Sequence, residues 1–243
     1  MNSLKKLKLS IIIPAYNEEN TVGQVLQNLD KLELPTIQKE ILVIDDGSRD
    51  KTASIVRKFE KKMSSVRLIQ HVKNKGKGSA VQTGIRNATG DVVLIQDADL
   101  EYNPSDIPKL LKPILSGKVR VVYGTRLRQK AVLFGKNKTP LLLHFFGNKF
   151  LSFATTVLYG RTISDMETGY KVIERSALKG IKLKAHSFDF EPEITAKLLK
   201  RNIKIEEIDI QVNPRGYDEG KKIRPGKDGI IALWTLLKYR FVN

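Results

Sequence analysis

Cysteine is absent from this 243-residue chain. Disulfide staples and thiolate metal sites are excluded, and the fold must rest on buried apolar side chains. Aromatic residues are few, at 7% with a single tryptophan. They gather in Phe145–Phe153 and near the C-terminus. A surface that stacks nucleic-acid bases needs them interleaved with basic residues, so a basic nucleic-acid-binding protein is the remotest reading. Acid is also scarce: 26 Asp and Glu face 43 Lys and Arg, a net charge of +17. That imbalance points to an anionic partner, such as a phosphorylated small molecule or an acidic lipid surface.

Long apolar runs are missing too. Leu9–Ile13 stops at Pro14, too short for a signal core, and reads as a first strand. Leu141–Gly160 is interrupted by His144, Asn148 and Lys149 and does not read as a spanning helix. No G-x-G-x-x-G opens the first helix, which disfavours a dinucleotide enzyme. NKGKGSA lacks the spacing of a P-loop. The three histidines, His71, His144 and His186, are scattered and read as structural.

What is present is a rhythm. Hydrophobic residues reach 41%, enough for a sizeable core. Short apolar runs predict strands at Leu9–Ile13, Ile41–Asp45, Val66–Gln70, Val92–Asp97 and Val119–Tyr123. Between them, amphipathic stretches predict helices near Glu19–Asp30, Asp50–Lys62, Lys77–Ala88 and Pro104–Leu115. The alternation predicts an α/β fold, a mostly parallel sheet with helices on both faces. No internal repeat or linker divides the chain, so one domain over residues 1–243 is expected. In open α/β sheets ligands bind outside the carboxyl ends of the strands. Four such ends are polar: PAYNEEN, DDGSRDKT, QDADLE and YGTR.

The stretch LIQDADLE is the most pointed. Asp97, Asp99 and Glu101 follow an apolar strand at alternate positions. In extended backbone they would share one face, and a cation among them would relieve their repulsion.

The ordered series SIIIPAYNEENTV, VIDDGSRDKT, NKGKGSAVQTGI, LIQDADLEYNP and YGTR resembles family 2 glycosyltransferases of the GT-A fold. SDMETGYKVI, SFDFEPEITAKLLK and PRGYDEGKKIRPGKDG resemble its dolichyl-phosphate-mannose synthase-like branch. The resemblance implies inverting transfer of a sugar from a nucleotide diphosphate to a lipid phosphate. It implies Mg²⁺ or Mn²⁺ on Asp97 and Asp99, with Glu101 as a further oxygen ligand. Pro14, Tyr16 and Glu18 would border the nucleoside, with Asp45 and Asp46 beside base and ribose. Lys75 and Gly76, with Lys77 and Gly78, would lie along the nucleotide. Arg126 would face the acceptor phosphate, and Asp165, Glu167, Thr168 and Gly169 would wall the sugar and acceptor pocket. Arg215, Lys221 and Lys222 would close on the donor diphosphate, although EGKKIRPGK departs from the shorter G-x-S-K of eukaryotic synthases.

Three readings follow. The first is a hexosyltransferase acting on polyprenyl or dolichyl phosphate, with GDP-mannose the favoured donor. It would be cytoplasmic and peripheral on an anionic membrane surface, alone or with a membrane subunit. Residues 136–161 and the helix within 215–243 would face that surface, since Trp234 and Tyr239 lie beside Lys238 and Arg240. The second reading is transfer from a UDP-sugar to a hydroxyl acceptor, with Asp165 as base. The third is the nucleic-acid binder argued against above.

Overall fold

The computed structural model describes residues 6–126, 142–213 and 225–242. Seven strands form one sheet: β1 (Leu7–Ala15), β2 (Ile37–Asp45), β3 (Val66–Gln70), β4 (Val92–Ile95), β5 (Val121–Thr125), β6 (Lys171–Glu174) and β7 (Ile205–Asp209). Their order is β3-β2-β1-β4-β6-β5-β7. All pairs are parallel except those of β6, which runs antiparallel between β4 and β5.

Eight helices accompany the sheet among the described residues: α1 (Val22–Lys31), α2 (Thr52–Lys62), α3 (Lys77–Asn87), α4 (Ile107–Leu115), α5 (Leu142–Tyr159), α6 (Arg175–Leu178), α7 (Phe190–Lys200) and α8 (Pro225–Phe241). A 3₁₀ turn, Pro104–Asp106, leads into α4. On α1 the buried residues are Val22, Val25, Leu26 and Leu29, the spacing of one helical face.

The strand period divides the core. On β1, Leu9, Ile11 and Ile13 join residues of α1, α2 and α4 on one side of the sheet. Ile12 points the other way, into a core shared with α3, α6 and α7. Each buried Leu or Ile contributes about 1.5–3 kcal/mol relative to exposure. A third cluster joins α5, α7 and α8 through Leu151, Ala196, Leu199, Ala232 and Leu236.

The expected mostly parallel α/β sheet is present, with corrections. β4 ends at Ile95 rather than Asp97, and α1 begins at Val22 rather than Glu19. No described helix is long and apolar enough to cross a membrane. In the segment 136–161, residues 136–141 lie outside the described structure and α5 forms most of the rest.

Candidate active site

The ends of β1 and β2 are laced into one rim. The Asn17 amide donates to Ser48 Oγ at 2.9 Å, and the Arg49 amide donates to Asn17 Oδ1 at 2.9 Å. The Glu19 amide reaches Asp50 Oδ2 at 3.1 Å, while the Lys51 amide reaches Glu19 Oε2 at 2.9 Å. Pro14 and Tyr16 are partly exposed on this rim. Glu18 is nearly buried: its amide donates to Thr52 Oγ1 at 2.8 Å and its carboxylate accepts from Thr21 Oγ1 at 3.0 Å.

Asp45 and Asp46 face inward. Asp45 accepts from the Ser48 amide at 3.1 Å and from Gln70 Nε2 at 3.0 Å. Asp46 accepts from the Lys75 amide at 3.0 Å and the Gly76 amide at 2.7 Å, and its Oδ1 lies 2.6 Å from His71 Nδ1. Both carboxylates brace the rim and the glycine loop in this structure.

Gly76 and Gly78 likewise have an internal reason. Gly76 has φ +92°, and a Cβ there would lie 2.3 Å from His186 O. A Cβ on Gly78 would lie 2.8 Å from Ala185 O. The glycines therefore admit the backbone of residues 185–187. The first amides of α3 are taken by the same segment: Gly78 N donates to Ser187 O and Ser79 N to His186 O, both at 3.2 Å.

That weld brings Lys77, on α3, to Glu191, on α7. The Lys77 ammonium lies 2.9 Å from Glu191 Oε1 and 2.9 Å from Asp97 Oδ1. Burial opposes its charge, but the two carboxylates outweigh burial and hold Lys77 protonated well above the ordinary lysine range.

The carboxylates of Asp97, Asp99 and Glu101 do not share a strand face. Extended structure stops at Ile95, and the chain bends so that Asp99 Oδ1 accepts from the Glu101 amide at 3.1 Å. Among the described residues no group of three Asp, Glu or His converges as a metal site. A divalent cation still fits at Asp97. An ammonium already stands on Oδ1, and beside Oδ2 the chain has Gly169, whose Cβ would lie 2.4 Å from that oxygen. Asp97 and Asp99, both partly exposed, are hard oxygen donors suited to Mg²⁺ or Mn²⁺.

Arg126 follows β5. Its Nε donates to Asp165 Oδ2 at 2.7 Å and Nη2 to Oδ1 at 2.8 Å, a bidentate fork, while its amide donates to Oδ2 at 2.9 Å. Nη1 donates to Tyr102 Oη at 3.1 Å, and Tyr102 Oη accepts from the Gly169 amide at 2.7 Å. Burial opposes the guanidinium charge, and Asp165 more than restores it. Asp165 is fully buried, and Glu207 accepts its amide at 3.0 Å. Next to this pair, burial pushes Glu167 above the carboxylate range and Lys171 below the lysine range. Lys171 Nζ donates to Met166 O at 3.1 Å and also to Thr168 O.

The strand edge thus carries a fixed arginine, a lysine between two carboxylates, and a rim beside them. Residues 10–182 match the family described as Glycosyl transferase family 2. The chain belongs to that family. It is a nucleotide-sugar glycosyltransferase with a GT-A-like fold.

A UDP-N-acetylglucosamine–dolichyl-phosphate N-acetylglucosaminyltransferase of Methanococcus voltae is 32% identical over 212 residues, 79% of this chain and 81% of that protein. A dolichol-phosphate mannosyltransferase of Pyrococcus furiosus is 30% identical over 206 residues, 79% of this chain and 53% of that one. Among solved structures, glucosyl-3-phosphoglycerate synthase of Mycobacterium tuberculosis, in complex with Mn²⁺, UDP and glucosyl-3-phosphoglycerate, superposes with a TM-score of 0.73. It is 21% identical, and the match covers 98% of this chain and 81% of that chain.

Arg215, Lys221 and Lys222 lie outside the described residues of the transferase. Two participants escaped sequence reasoning. Glu191 and Lys171 lie in stretches quoted for the resemblance, yet nothing local marks Glu191 as the partner of Lys77 or Lys171 as a buried donor to Met166 O and Thr168 O. For Glu191 the signal is opposite charge on the facing helices α3 and α7, which needs the fold.

Proposed function

We propose that this transferase moves a hexose, with inversion, from a nucleotide diphosphate sugar to a polyprenyl phosphate. The observation that carries the choice of acceptor is the state of Asp165. A hydroxyl acceptor needs a base, and Asp165 was the residue assigned to that work. Its carboxylate is fully buried and both oxygens hold Arg126. A phosphate acceptor is already ionised near neutral pH and needs no base. Arg126 then presents a braced cation to the acceptor phosphate, which suits guanidinium chemistry. The names of the relatives, which include dolichyl-phosphate transferases, support the same reading.

A cation held by Asp97 and Asp99 would neutralise charge on the departing diphosphate. In this reading Pro14, Tyr16 and Glu18 border the nucleoside, and Arg215, Lys221 and Lys222, outside the described residues, are the cations assigned to the diphosphate. GDP-mannose is the first donor proposed, with UDP-sugars as the alternative.

The same reading makes the protein peripheral on the cytoplasmic face of an anionic membrane, alone or beside a membrane subunit. On α5, Phe146, Phe150, Phe153 and Val157 are exposed at helical spacing. On α8, Trp234, Leu237 and Phe241 are exposed, with Lys238 and Arg240 among them.

The test is a donor screen. Each nucleotide sugar is supplied with Mg²⁺ or Mn²⁺ and a short polyprenyl phosphate, and products are read by mass spectrometry. A glycosylated polyprenyl phosphate with one donor supports the reading. Transfer only to water or to hydroxyl compounds contradicts it.

A further inference from the structure

The Lys77 ammonium bridges Asp97 Oδ1 and Glu191 Oε1, each at 2.9 Å, and the three side chains are 19, 18 and 5% exposed. This is a cation on the carboxylate that the reading above gives to a metal ion. A divalent ion coordinated by the same oxygen would come within roughly 4 Å of the ammonium, where like charges repel strongly in a partly buried site. The two cations compete for Asp97.

The surroundings fix what happens to the loser. Lys77 opens α3, whose Gly78 and Ser79 amides already donate to Ser187 and His186. Those helix amides do not serve an arriving phosphate. The Lys77 side chain is a cationic group that this end of α3 can offer, close to the exposed Lys75. Glu191 holds the ammonium from the other side, and its second oxygen, Oε2, is buried with no hydrogen-bond partner among the described residues. Glu191 can therefore keep hold of Lys77 after Asp97 lets go.

We propose that Lys77 is a stand-in cation that keeps Asp97 closed to metal until a nucleoside diphosphate draws the ammonium away. The proposal rests on Asp97 being a metal ligand. Its consequence is thermodynamic. Metal alone binds weakly, because it must displace Lys77. With a diphosphate present, phosphate oxygens take the ammonium and Asp97 opens. By linkage, metal tightens diphosphate binding by the same factor as diphosphate tightens metal binding. Lys77 thereby acts as a positioning residue that enforces joint loading of both ligands.

The experiment measures Mn²⁺ binding to the full chain by electron paramagnetic resonance, without nucleotide and with saturating GDP or UDP. The wild type should bind Mn²⁺ about tenfold or more tightly with the diphosphate, within the usual range of coupling. Lys77→Met should raise the affinity for Mn²⁺ alone by about tenfold and lower the coupling by about the same factor, leaving only the part due to direct attraction between metal and diphosphate. Lys77→Gln, which keeps length and hydrogen bonding, serves if the methionine variant does not fold. Glu191→Gln should move the other way, weakening Mn²⁺ alone, because Lys77 then leans on Asp97 only. Lys73→Met removes an exposed charge nearby and controls for the general field.

The proposal is overturned if Lys77→Gln and Lys77→Met leave coupling at the wild-type value. It is equally overturned if Lys73→Met raises Mn²⁺ affinity as much as the Lys77 variants. If Asp97→Asn binds Mn²⁺ as the wild type does, the metal reading of Asp97 fails, and this proposal fails with it. Reduced coupling in the Lys77 variants together with lost binding in Asp97→Asn supports both.

Discussion

The imidazole of His71 lies beneath the glycine loop, with Nδ1 2.6 Å from Asp46 Oδ1 and both side chains almost wholly buried. A carboxylate only accepts, so Nδ1 donates to Asp46. Nε2 meets Thr83 Oγ1 on α3 at 2.9 Å. Asp46 in turn accepts the Lys75 and Gly76 amides. His71 therefore ties the end of β2, the glycine loop and α3 into one unit.

This relay predicts a change in donor binding. His71→Leu leaves the Asp46 carboxylate short of a buried partner, at a cost of about 1–3 kcal/mol in stability. The loop that carries Lys75 and Lys77 loosens, so KM for the nucleotide sugar should rise while kcat changes less. His71→Asn, which can restore a donor to Asp46, should recover part of the loss. Steady-state kinetics and thermal melts check this. A fall in kcat with unchanged KM would assign His71 another role.

Acid should loosen the other end of the sheet. Burial raises the Glu40 carboxyl, yet hydrogen bonds from Ser10, Lys8 and Thr89 outweigh it and hold the group down at about 2. The native value lies below the unfolded value, near 4.3. Its stabilisation is therefore complete above about pH 4.5 and is lost as pH falls toward 2. Wild type should lose melting temperature through that window. Glu40→Gln should start lower at neutral pH and fall less steeply. Parallel curves for the two proteins would show that Glu40 does not contribute.

Five strands of the sheet were legible because β1 to β5 are apolar runs closed by polar ends. The other two were not. β6 is four residues long, KVIE, and buries a lysine. β7 reads IEEID, acidic and only partly buried, at the edge of the sheet. Neither pattern signals a strand without its neighbours. Motif order pointed to Asp97 and Arg126 as candidates, but the pairing of Lys77 with Glu191 joins helices far apart in sequence. The alternation of Asp97, Asp99 and Glu101 misled, because it presumes extended backbone beyond Ile95, where the chain bends.

Membrane binding should have two separable components. Apolar side chains entering the interface contribute about 25 cal/mol per Å². Each lysine or arginine near an anionic leaflet adds about 1 kcal/mol, screened by salt. Sedimentation with anionic and neutral vesicles at low and high salt should show a salt-sensitive part and a salt-resistant part. Phe146→Ser with Phe150→Ser should reduce the salt-resistant part, since both rings are exposed on α5. Protein that stays in the supernatant throughout would contradict the peripheral reading.

Arg126 should separate acceptor from donor. Arg126→Ala strips the buried Asp165 of its guanidinium, so a loss of about 3–5 kcal/mol in stability is expected. Arg126→Lys keeps a charge without the fork and is the cleaner probe. Its KM for polyprenyl phosphate should rise about tenfold, the worth of one charged hydrogen bond. Donor affinity by calorimetry should stay close to wild type. Equal losses on both sides would place Arg126 in donor binding or the fold.

The reading of the site turns on the acceptor's phosphate. The direct measurement offers the transferase its preferred nucleotide sugar with a polyprenyl phosphate or with the same polyprenol lacking the phosphate, across neutral pH, and follows lipid-linked sugar by mass spectrometry. Transfer to the phosphate form, and none above background to the alcohol, is the predicted result. Equal or faster transfer to the polyprenol would contradict it, because a hydroxyl acceptor requires a base and the Asp165 carboxylate is buried against Arg126.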